Sequence, residues 1–263
     1  LNNGYLGTRP THIQGSGRGI FAGGRTPSFL KSMEFITIAT QGNGNDFGNL
    51  ATTTRDVANA SSSLRALTAG GYTSDYTDTI EYVEMATRGN GADFGNLVAG
   101  TYSAQTGNIG NTTRGIFSGG HVSPTQTNVM QFVTFTSVGN TTDFGDLSVA
   151  RQDIAGISNN TRGVNAGGVI AASPYQVNTI DYITIASTGN AQDFGDLTVA
   201  RWALAGMSNS TRGTFAGGAT PSDKNEIDFI TIASTGNAAD FGDILTTTQY
   251  VSGCADSHGG LQS

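Results

Sequence analysis

A chain of 263 residues with 37% hydrophobic and 13% charged residues can bury a core but carries few surface charges. The formal net charge is −7, and the only two lysines are Lys31 and Lys224. Because nucleic-acid binding depends on clustered Lys and Arg, this composition argues against a nucleic-acid or anionic-membrane partner. The single cysteine, Cys254, excludes an intrachain disulfide and a cysteine-based zinc site.

Targeting segments are not evident in the sequence. No apolar run approaches the roughly 20 residues that a membrane span needs, so we expect no membrane insertion. The first residues contain neither a charged region nor an apolar region of the kind that begins a signal peptide, which predicts none here. Gly is heavily used, at 38 residues, together with many Thr, Ser and Asn. This mixture is typical of short strands joined by tight turns.

Internal repeats organise the whole chain. The tripeptide Asp-Phe-Gly occurs five times, beginning at Asp46, Asp93, Asp143, Asp193 and Asp240. A Gly-Asn pair precedes each copy, and a double glycine recurs five times, the last at Gly217-Gly218. The period of 47 to 50 residues matches the kelch repeat better than the shorter WD40 repeat.

Within one unit the elements follow in a fixed order. Residues 201–208 predict a first strand, and Asn209-Ser210 a turn. Residues 211–216 predict a second strand that the double glycine ends. After a loop, residues 227–232 predict a third strand, and Gly236-Asn237 turns the chain into a short outer strand that carries Asp-Phe-Gly.

The third strand indicates how the units pack. In the copy at 180–185, apolar side chains occur on both faces, as Ile180, Tyr182, Ile183 and Ile185 show. A sheet that is buried on both faces loses the alternating pattern of a one-sided sheet. We therefore predict an all-β, five-bladed, kelch-like β-propeller that forms one domain over residues 1–263. A solenoid of five stacked units is the rival architecture, and a β-prism is a more distant one.

The two ends of the chain predict how the ring closes. Residues 246–257 resemble a sixth first strand, whereas residues 5–16 match the first-strand pattern poorly. We therefore expect the C-terminal strand to complete the N-terminal blade, which would remove an exposed sheet edge.

The repeated motif residues are expected to be structural, because a catalytic element is needed once and not in every blade. We expect the Asp of Asp-Phe-Gly to accept backbone N–H groups, the Phe to pack on the next blade, and the Gly to adopt positive φ. The repeated arginines Arg18, Arg65, Arg114, Arg162 and Arg212 need a carboxylate or carbonyl partner. The five aspartates of Asp-Phe-Gly are the first candidates, and a second acidic column is the alternative: Glu34, Glu81, Asp181 and Asp228, with Gln131 in the remaining blade.

Function is expected on the rim where the sequence of the repeats varies most. The loops after the double glycines and the connections between blades should lie on one rim, and variable loops on a rigid ring are suited to recognition. The candidate ligand-binding residues there are Tyr72, Asp75, Tyr76, Tyr102, His121, Tyr175, Trp202 and Tyr250. Trp202 and Tyr250 are expected to occupy equivalent places. Ordinary packing of these aromatic residues is the alternative. No residue pattern indicates a catalytic site, a metal site or a cofactor, so we expect no enzyme.

The chain resembles kelch-like repeat proteins of tailed bacteriophages of marine bacteria. The likeness is carried by Thr-Arg-Gly-x-Phe-Ala-Gly-Gly at 211–218, Ile-Asp-Tyr-Ile-Thr-Ile-Ala-Ser-Thr-Gly-Asn at 180–190 and Asp-Phe-Gly-Asp-Leu at 193–197. The resemblance implies a virion component, assembled in the host cytoplasm and often part of a tail or fibre. The expected partners are other virion proteins and a bacterial surface carbohydrate or receptor, and a homo-oligomer is compatible with the sequence. A purely structural decoration or connector protein is the alternative function, and an enzyme that acts on polysaccharide is the third, although the sequence shows no identifiable acid pair for it.

Overall fold

The computed structural model describes residues 17–38, 40–98 and 109–253. These residues form β-strands and no helix. The first blade contains β1 (Arg18–Ala22), β2 (Arg25–Thr26), β3 (Ser28–Thr37) and β4 (Asn45–Thr54), and the second contains β5 (Ala58–Ser61), β6 (Arg65–Ala69), β7 (Thr79–Glu84) and β8 (Ala92–Asn96). The third contains β9 (Ile109–Gly110), β10 (Arg114–Ser118), β11 (His121–Val122), β12 (Thr125–Gln126), β13 (Val129–Thr134) and β14 (Thr142–Asp146). The fourth contains β15 (Ala155–Ser158), β16 (Arg162–Ala166), β17 (Thr179–Thr184) and β18 (Gln192–Asp196). The fifth contains β19 (Ala205–Ser208), β20 (Arg212–Ala216), β21 (Ala219–Thr220), β22 (Ser222–Thr231) and β23 (Ala239–Thr248).

Each complete blade is an antiparallel sheet whose four main strands lie in chain order. The second blade has the order β5-β6-β7-β8, and the fourth has β15-β16-β17-β18. The fifth has the equivalent order β19-β20-β22-β23. The five blades are arranged as a β-propeller, so the predicted all-β class and blade number are confirmed. The first blade differs, because its described strands are β1, β3 and β4 with the short β2, and none of them is an innermost strand.

Neighbouring blades are joined by a repeated set of backbone hydrogen bonds that we call the latch. Between the third and fourth blades, Gly189 N–H donates to the carbonyl of Phe144 at 2.7 Å, and Ala191 N–H donates to that of Asp146 at 2.8 Å. The side-chain oxygen of Asn190 accepts Asp146 N–H at 3.0 Å. The same three bonds join the first blade to the second, the second to the third and the fourth to the fifth. Four of the five Gly-Asn turns therefore bind the Asp-Phe-Gly segment of the preceding blade.

The glycine of Asp-Phe-Gly is required for two reasons. Gly145 has φ of 134°, a region that L-residues with a side chain rarely adopt. A Cβ at Gly145 would also lie 2.5 Å from the carbonyl oxygen of Gly189 in the next blade. The adjacent Phe144 is buried and packs edge-to-face on Phe132, and it joins a core cluster with Ile183 and Ile185 of the next blade. The expectation that this Phe packs on the following blade is confirmed.

The repeated arginines do not pair with the aspartates of Asp-Phe-Gly, so that prediction is wrong. Arg162 donates from Nη1 to the carbonyl of Ile232 in the next blade at 2.8 Å, and its guanidinium lies 4.3 Å from the ring centroid of Tyr182. Arg18, Arg65 and Arg114 make the equivalent bonds. A carbonyl and an aromatic face thus satisfy the half-buried Arg162 without a carboxylate, whereas Arg65 also forms an ion pair with Glu84 at 2.8 Å. The five aspartates are exposed, and Asp143 and Asp240 accept the N–H of the glycine two residues on.

The second acidic column has a different role from the one expected for it. In four blades its member accepts a backbone N–H from the preceding blade, as Asp181 does from Ser148 at 3.2 Å and Gln131 does from Val98 at 2.7 Å. Asp181 also forms an ion pair with Arg151, an arginine outside the repeated Thr-Arg-Gly motif. Arg201 and Asp228 form the equivalent pair in the fifth blade at 3.0 Å. These acids thus bind both within and between blades.

The interface between the fifth blade and the first is not formed by the described residues. Phe241 is 53% exposed, although the equivalent Phe144 and Phe194 are buried, and Ile38 is 56% exposed, although the equivalent Ile185 is buried. A Cβ at Gly242 would meet no atom within 4 Å. Of the predicted clasp strand at 246–257, only residues 246–253 are described, and residues 1–16 also lie outside the described residues, so ring closure stays a prediction.

Candidate functional site

The variable loops and the connections between blades lie on the same rim. Arg55, in the connection into the second blade, forms a β-bridge with Tyr72, which follows the double glycine of that blade. Trp202 and Ala219 form the equivalent bridge in the fifth blade, and Gln152 forms it in the fourth. The bridges hold each connection against the loop beside it. Side chains from several blades are thereby presented on one rim.

Four rings from three consecutive blades form a continuous line that we call the aromatic row: Phe29, Tyr72, Tyr76 and His121. Phe29 and Tyr72 have their centroids 6.1 Å apart and are nearly perpendicular at 82°. Tyr72 and Tyr76 are 5.8 Å apart at 77°. Tyr76 and His121 are 5.5 Å apart at 37°. All four rings are half-buried, so each is fixed by its neighbours and still presents surface to solvent.

The local sequence fixes the middle of the row. Gly70 and Gly71 take φ of 64° and 98°, which turns the chain out of β6. Tyr72 N–H then donates to the carbonyl of Arg55 at 2.9 Å. Asp75 accepts the N–H of Tyr76 at 2.8 Å through its carboxylate, so this residue shapes the turn that carries Tyr76. This turn therefore places Tyr76 beside Tyr72.

The end of the row at His121 is built on a separate hairpin. His121 lies on β11 and pairs with Gln126 on β12. The side-chain amide of Gln126 donates to that of Gln152 at 3.3 Å, which links the hairpin to the connection of the next blade. A polar surface of side-chain amides therefore extends from the His121 end of the aromatic row toward the fourth blade.

Arg55 provides the positive charge of the site. Its guanidinium lies 5.2 Å from the ring centroid of Phe29 and 5.0 Å from that of Tyr72, so it covers both rings. Its Nη1 forms an ion pair with Asp56. The aromatic row is thus bordered by a paired cation and anion, both half-buried. Such groups are able to exchange hydrogen bonds with a ligand that carries hydroxyl or carboxylate groups.

The remaining predicted residues do not join the row. Trp202 and Tyr250 form a second aromatic pair, with centroids 5.3 Å apart and planes at 88°. Their predicted equivalence is wrong, because Tyr250 corresponds to Ala203: both have positive φ, of 56° and 53°, and each donates its N–H to the equivalent carbonyl of the preceding repeat. Tyr175 is exposed on a loop of the fourth blade. Tyr102 lies outside the described residues.

Sequence reasoning missed Phe29 and Arg55. Phe29 lies in the variable loop of the first blade, so its position in the repeat was a usable signal. Arg55 has no such signal, because the equivalent residues are Gln152 and Trp202, and only the fold shows that its guanidinium covers two rings.

Metal binding has no support within the described ranges 17–38, 40–98 and 109–253, where no group of three or more His, Cys, Asp or Glu side chains could hold an ion. Within the same ranges there is no helix long and apolar enough to cross a membrane. No protein-family model matches the chain, and no curated protein matches it. The class that the fold defines is therefore a five-bladed β-propeller, and a finer assignment depends on the repeat motifs and the rim.

Proposed function

We propose that this chain is a non-enzymatic binding module that recognises a carbohydrate through the aromatic row. The observation that carries the proposal is the alignment of Phe29, Tyr72, Tyr76 and His121 across three blades. The negative face of an aromatic ring attracts the polarised C–H groups of a sugar ring, and partly buried rings lose little conformational entropy on binding. Arg55 and Asp56 are available beside the rings for hydroxyl or carboxylate groups. A row, rather than a closed pocket, suits an extended glycan.

The biological setting of the proposal comes from the repeat motifs. The likeness to phage kelch-like repeats supports a virion component that contacts a bacterial surface glycan or another surface receptor, with the rim directed outward. A rigid ring with variable rim loops is suited to that task, because loop sequences can change without altering the latches between blades.

A glycan array of bacterial surface polysaccharides, followed by calorimetric titration of the best ligand, tests this proposal. Tyr76→Ala removes one of the two middle rings, and we expect affinity to fall roughly tenfold or more, as for a central aromatic contact. Tyr175→Ala is the matched control, because Tyr175 is an exposed tyrosine that lies outside the row. Equal affinity of the two variants, at equal folding stability, would contradict the assignment of the row.

The alternative function is a structural virion component whose rim contacts other viral proteins. It is favoured by the uncovered faces of the first and fifth blades, which expose apolar side chains. An array without any bound glycan, together with localisation of the chain inside an assembled particle and away from its surface, would support this alternative.

A further inference from the structure

One of the latches contains a pair of residues that the other latches lack. In the second blade the Gly-Asn turn reads Asn90-Gly91, whereas the later blades have Thr or Ala after the asparagine: Asn140-Thr141, Asn190-Ala191 and Asn237-Ala238. Asn90 is exposed and lies in no strand. Asparagine is a chemically labile residue, and a following glycine adds to that lability because it leaves its backbone nitrogen unshielded and flexible.

The glycine at position 91 is explained by the acid beside it. A Cβ at Gly91 would overlap Oε2 of Glu81, the acid of the second blade, which accepts Ala51 N–H at 2.9 Å. The first blade repeats this combination, because Oε2 of Glu34 lies 2.7 Å from the place of a Cβ at Gly44. A glutamate in this conformation therefore favours glycine after the asparagine.

The third and fourth blades accommodate a side chain at the same position in two ways. Thr141 fits beside Gln131 because its hydroxyl donates to the amide oxygen at 2.7 Å. Asp181 is one methylene shorter than a glutamate, and Ala191 follows the asparagine in that latch. The Asn-Gly pair of the second blade is thus a local packing solution, and the latch geometry does not require it.

Both groups of the Asn90-Gly91 pair are held by one residue of the first blade. Asn49 N–H donates to Oδ1 of Asn90 at 3.0 Å, and the Asn49 carbonyl accepts Gly91 N–H at 2.8 Å. The backbone nitrogen of Gly91 therefore has its proton engaged while the latch is closed. A reaction of this nitrogen with the neighbouring side chain requires that these two hydrogen bonds open first.

We propose that Asn90 is a site of spontaneous deamidation, which occurs when the latch between the first and second blades opens. The backbone nitrogen of Gly91 attacks Cγ of Asn90, and a succinimide forms. The bond from Cγ to Nδ2 breaks, and the side-chain nitrogen leaves as ammonia with the proton of Gly91 N–H. Water then adds to one of the two ring carbonyls, and the product is aspartate or isoaspartate. Water is the only reactant that the step consumes.

The two products differ in their effect on the latch. An aspartate carboxylate at position 90 still accepts Asn49 N–H, and the Gly91 N–H keeps its place. An isoaspartate adds one methylene to the main chain, so the Gly91 N–H moves out of register with the Asn49 carbonyl. The rings of Phe29 and Tyr72 meet across the same two blades on the rim. Isoaspartate formation therefore opens one of the four latches irreversibly, at an interface that the aromatic row crosses.

Peptide mapping by mass spectrometry, after incubation of the folded chain at mildly alkaline pH, tests the proposal. Trypsin cleaves after Arg88 and separates Asn90 from Asn43, and tandem spectra assign the exchange of NH2 for OH to one asparagine. Asn90 is expected to deamidate roughly tenfold or more faster than the asparagines of the three later latches. Its rate should rise further in urea, because the unfolded chain has no latch.

Two substitutions provide matched variants. Gly91→Thr gives the second blade the Asn-Thr pair of the third, and it should slow deamidation of Asn90 to the rate of the later latches. Ala191→Gly gives the fourth blade the Asn-Gly pair, and it should make Asn190 deamidate roughly tenfold or more faster than in the wild type. Urea unfolding of both variants shows that each is folded under the incubation conditions.

Three results would overturn the proposal. The first is an amide that persists at position 90 in the folded chain. The second is an equal rate for the folded and the urea-unfolded chain, since the latch would then exert no control. The third is an unchanged rate at Asn190 in Ala191→Gly, because the following glycine would then not matter. If Gly91→Thr fails to fold, Ala191→Gly still tests the role of the glycine.

Discussion

The carboxylate of Asp181 forms an ion pair with Nη2 of Arg151 at 2.8 Å, and both side chains are fully buried. Arg151 also donates to the backbone carbonyls of Gly167 and Thr179 at 2.9 and 2.8 Å. Burial lowers the pKa of Arg151, and the charge of Asp181 opposes that change. Because the pair joins the entry of the fourth blade to its second and third strands, it fixes the position of the connection that leads to the rim.

Replacing Arg151 with Met should destabilise the protein by about 3–5 kcal/mol, because it leaves the Asp181 carboxylate buried without its cation. The midpoint and slope of urea unfolding measure the change. The double variant Arg151→Met with Asp181→Leu should recover part of the loss, since no uncompensated charge remains buried. If the double variant is instead much less stable than Arg151→Met alone, the two side chains contribute independently to stability, which would contradict this account of the pair.

A much smaller effect is expected at Arg162, whose guanidinium lies over Tyr182 and donates to the Ile232 carbonyl in the next blade. Arg162→Met should cost about 1 kcal/mol, because this half-buried arginine gives up one hydrogen bond and one ring contact and leaves no buried charge without its partner. Urea unfolding measured beside Arg151→Met compares the two positions directly. Equal losses at Arg151 and Arg162 would show that the repeated arginines have a buried carboxylate partner after all.

The difference between these arginines shows what the sequence could predict. The repeats predicted the five blades, the strand order and the packing of Asp-Phe-Gly on the next blade, because the same physical demands recur in every unit. The partners of Arg162 are a backbone carbonyl and a ring, and neither has a sequence signal that separates it from a carboxylate. Arg151 occurs at its position in only two described blades, so the repeat did not mark it.

At the rim, too, the sequence predicted some features of the structure and not others. The variable loops were a correct guide to where aromatic residues gather, and three of the eight candidates, Tyr72, Tyr76 and His121, lie in one row. The sequence could not predict which rings touch, since contacts between loops of different blades depend on the loop conformations. The bridge between Arg55 and Tyr72 decides that arrangement, and it joins segments 17 residues apart whose pairing no local pattern indicates.

The buried carboxyl of Glu81 is expected to make the free energy of unfolding depend on pH. Burial raises the pKa of this carboxyl, and the nearby Asp93 adds to that effect, while hydrogen bonds from the Ala51 and Thr52 backbone oppose it. A carboxyl whose folded pKa is above its unfolded value binds its proton more tightly when folded, so the free energy of unfolding falls as pH rises between the two values. Glu81→Gln should remove this fall and raise the free energy of unfolding at pH 7. Urea unfolding from pH 4 to pH 8 is the measurement.

The third blade provides the reciprocal control for Glu81. Gln131 occupies the equivalent place and accepts Val98 N–H at 2.7 Å and the Thr141 hydroxyl at 2.7 Å, so an amide already serves the interface there. Gln131→Glu should introduce the pH dependence that Glu81→Gln removes. If neither substitution changes how the unfolding free energy varies with pH, burial does not control these two positions.

The glycines of Asp-Phe-Gly allow the cost of backbone strain to be separated from the cost of close blade packing. Gly145 and Gly242 have nearly the same φ, of 134° and 136°, but a Cβ at Gly145 would lie 2.5 Å from the Gly189 carbonyl oxygen, and one at Gly242 meets nothing within 4 Å. Gly242→Ala should therefore cost only the strain of positive φ, about 1–3 kcal/mol. Gly145→Ala should cost at least about 2 kcal/mol more, because the latch to the fourth blade must open or shift.

Urea unfolding of the two alanine variants beside the wild type gives both values for the glycine pair. Equal losses of unfolding free energy at Gly145 and Gly242 would mean that the latch beside Gly145 accommodates a methyl group without cost.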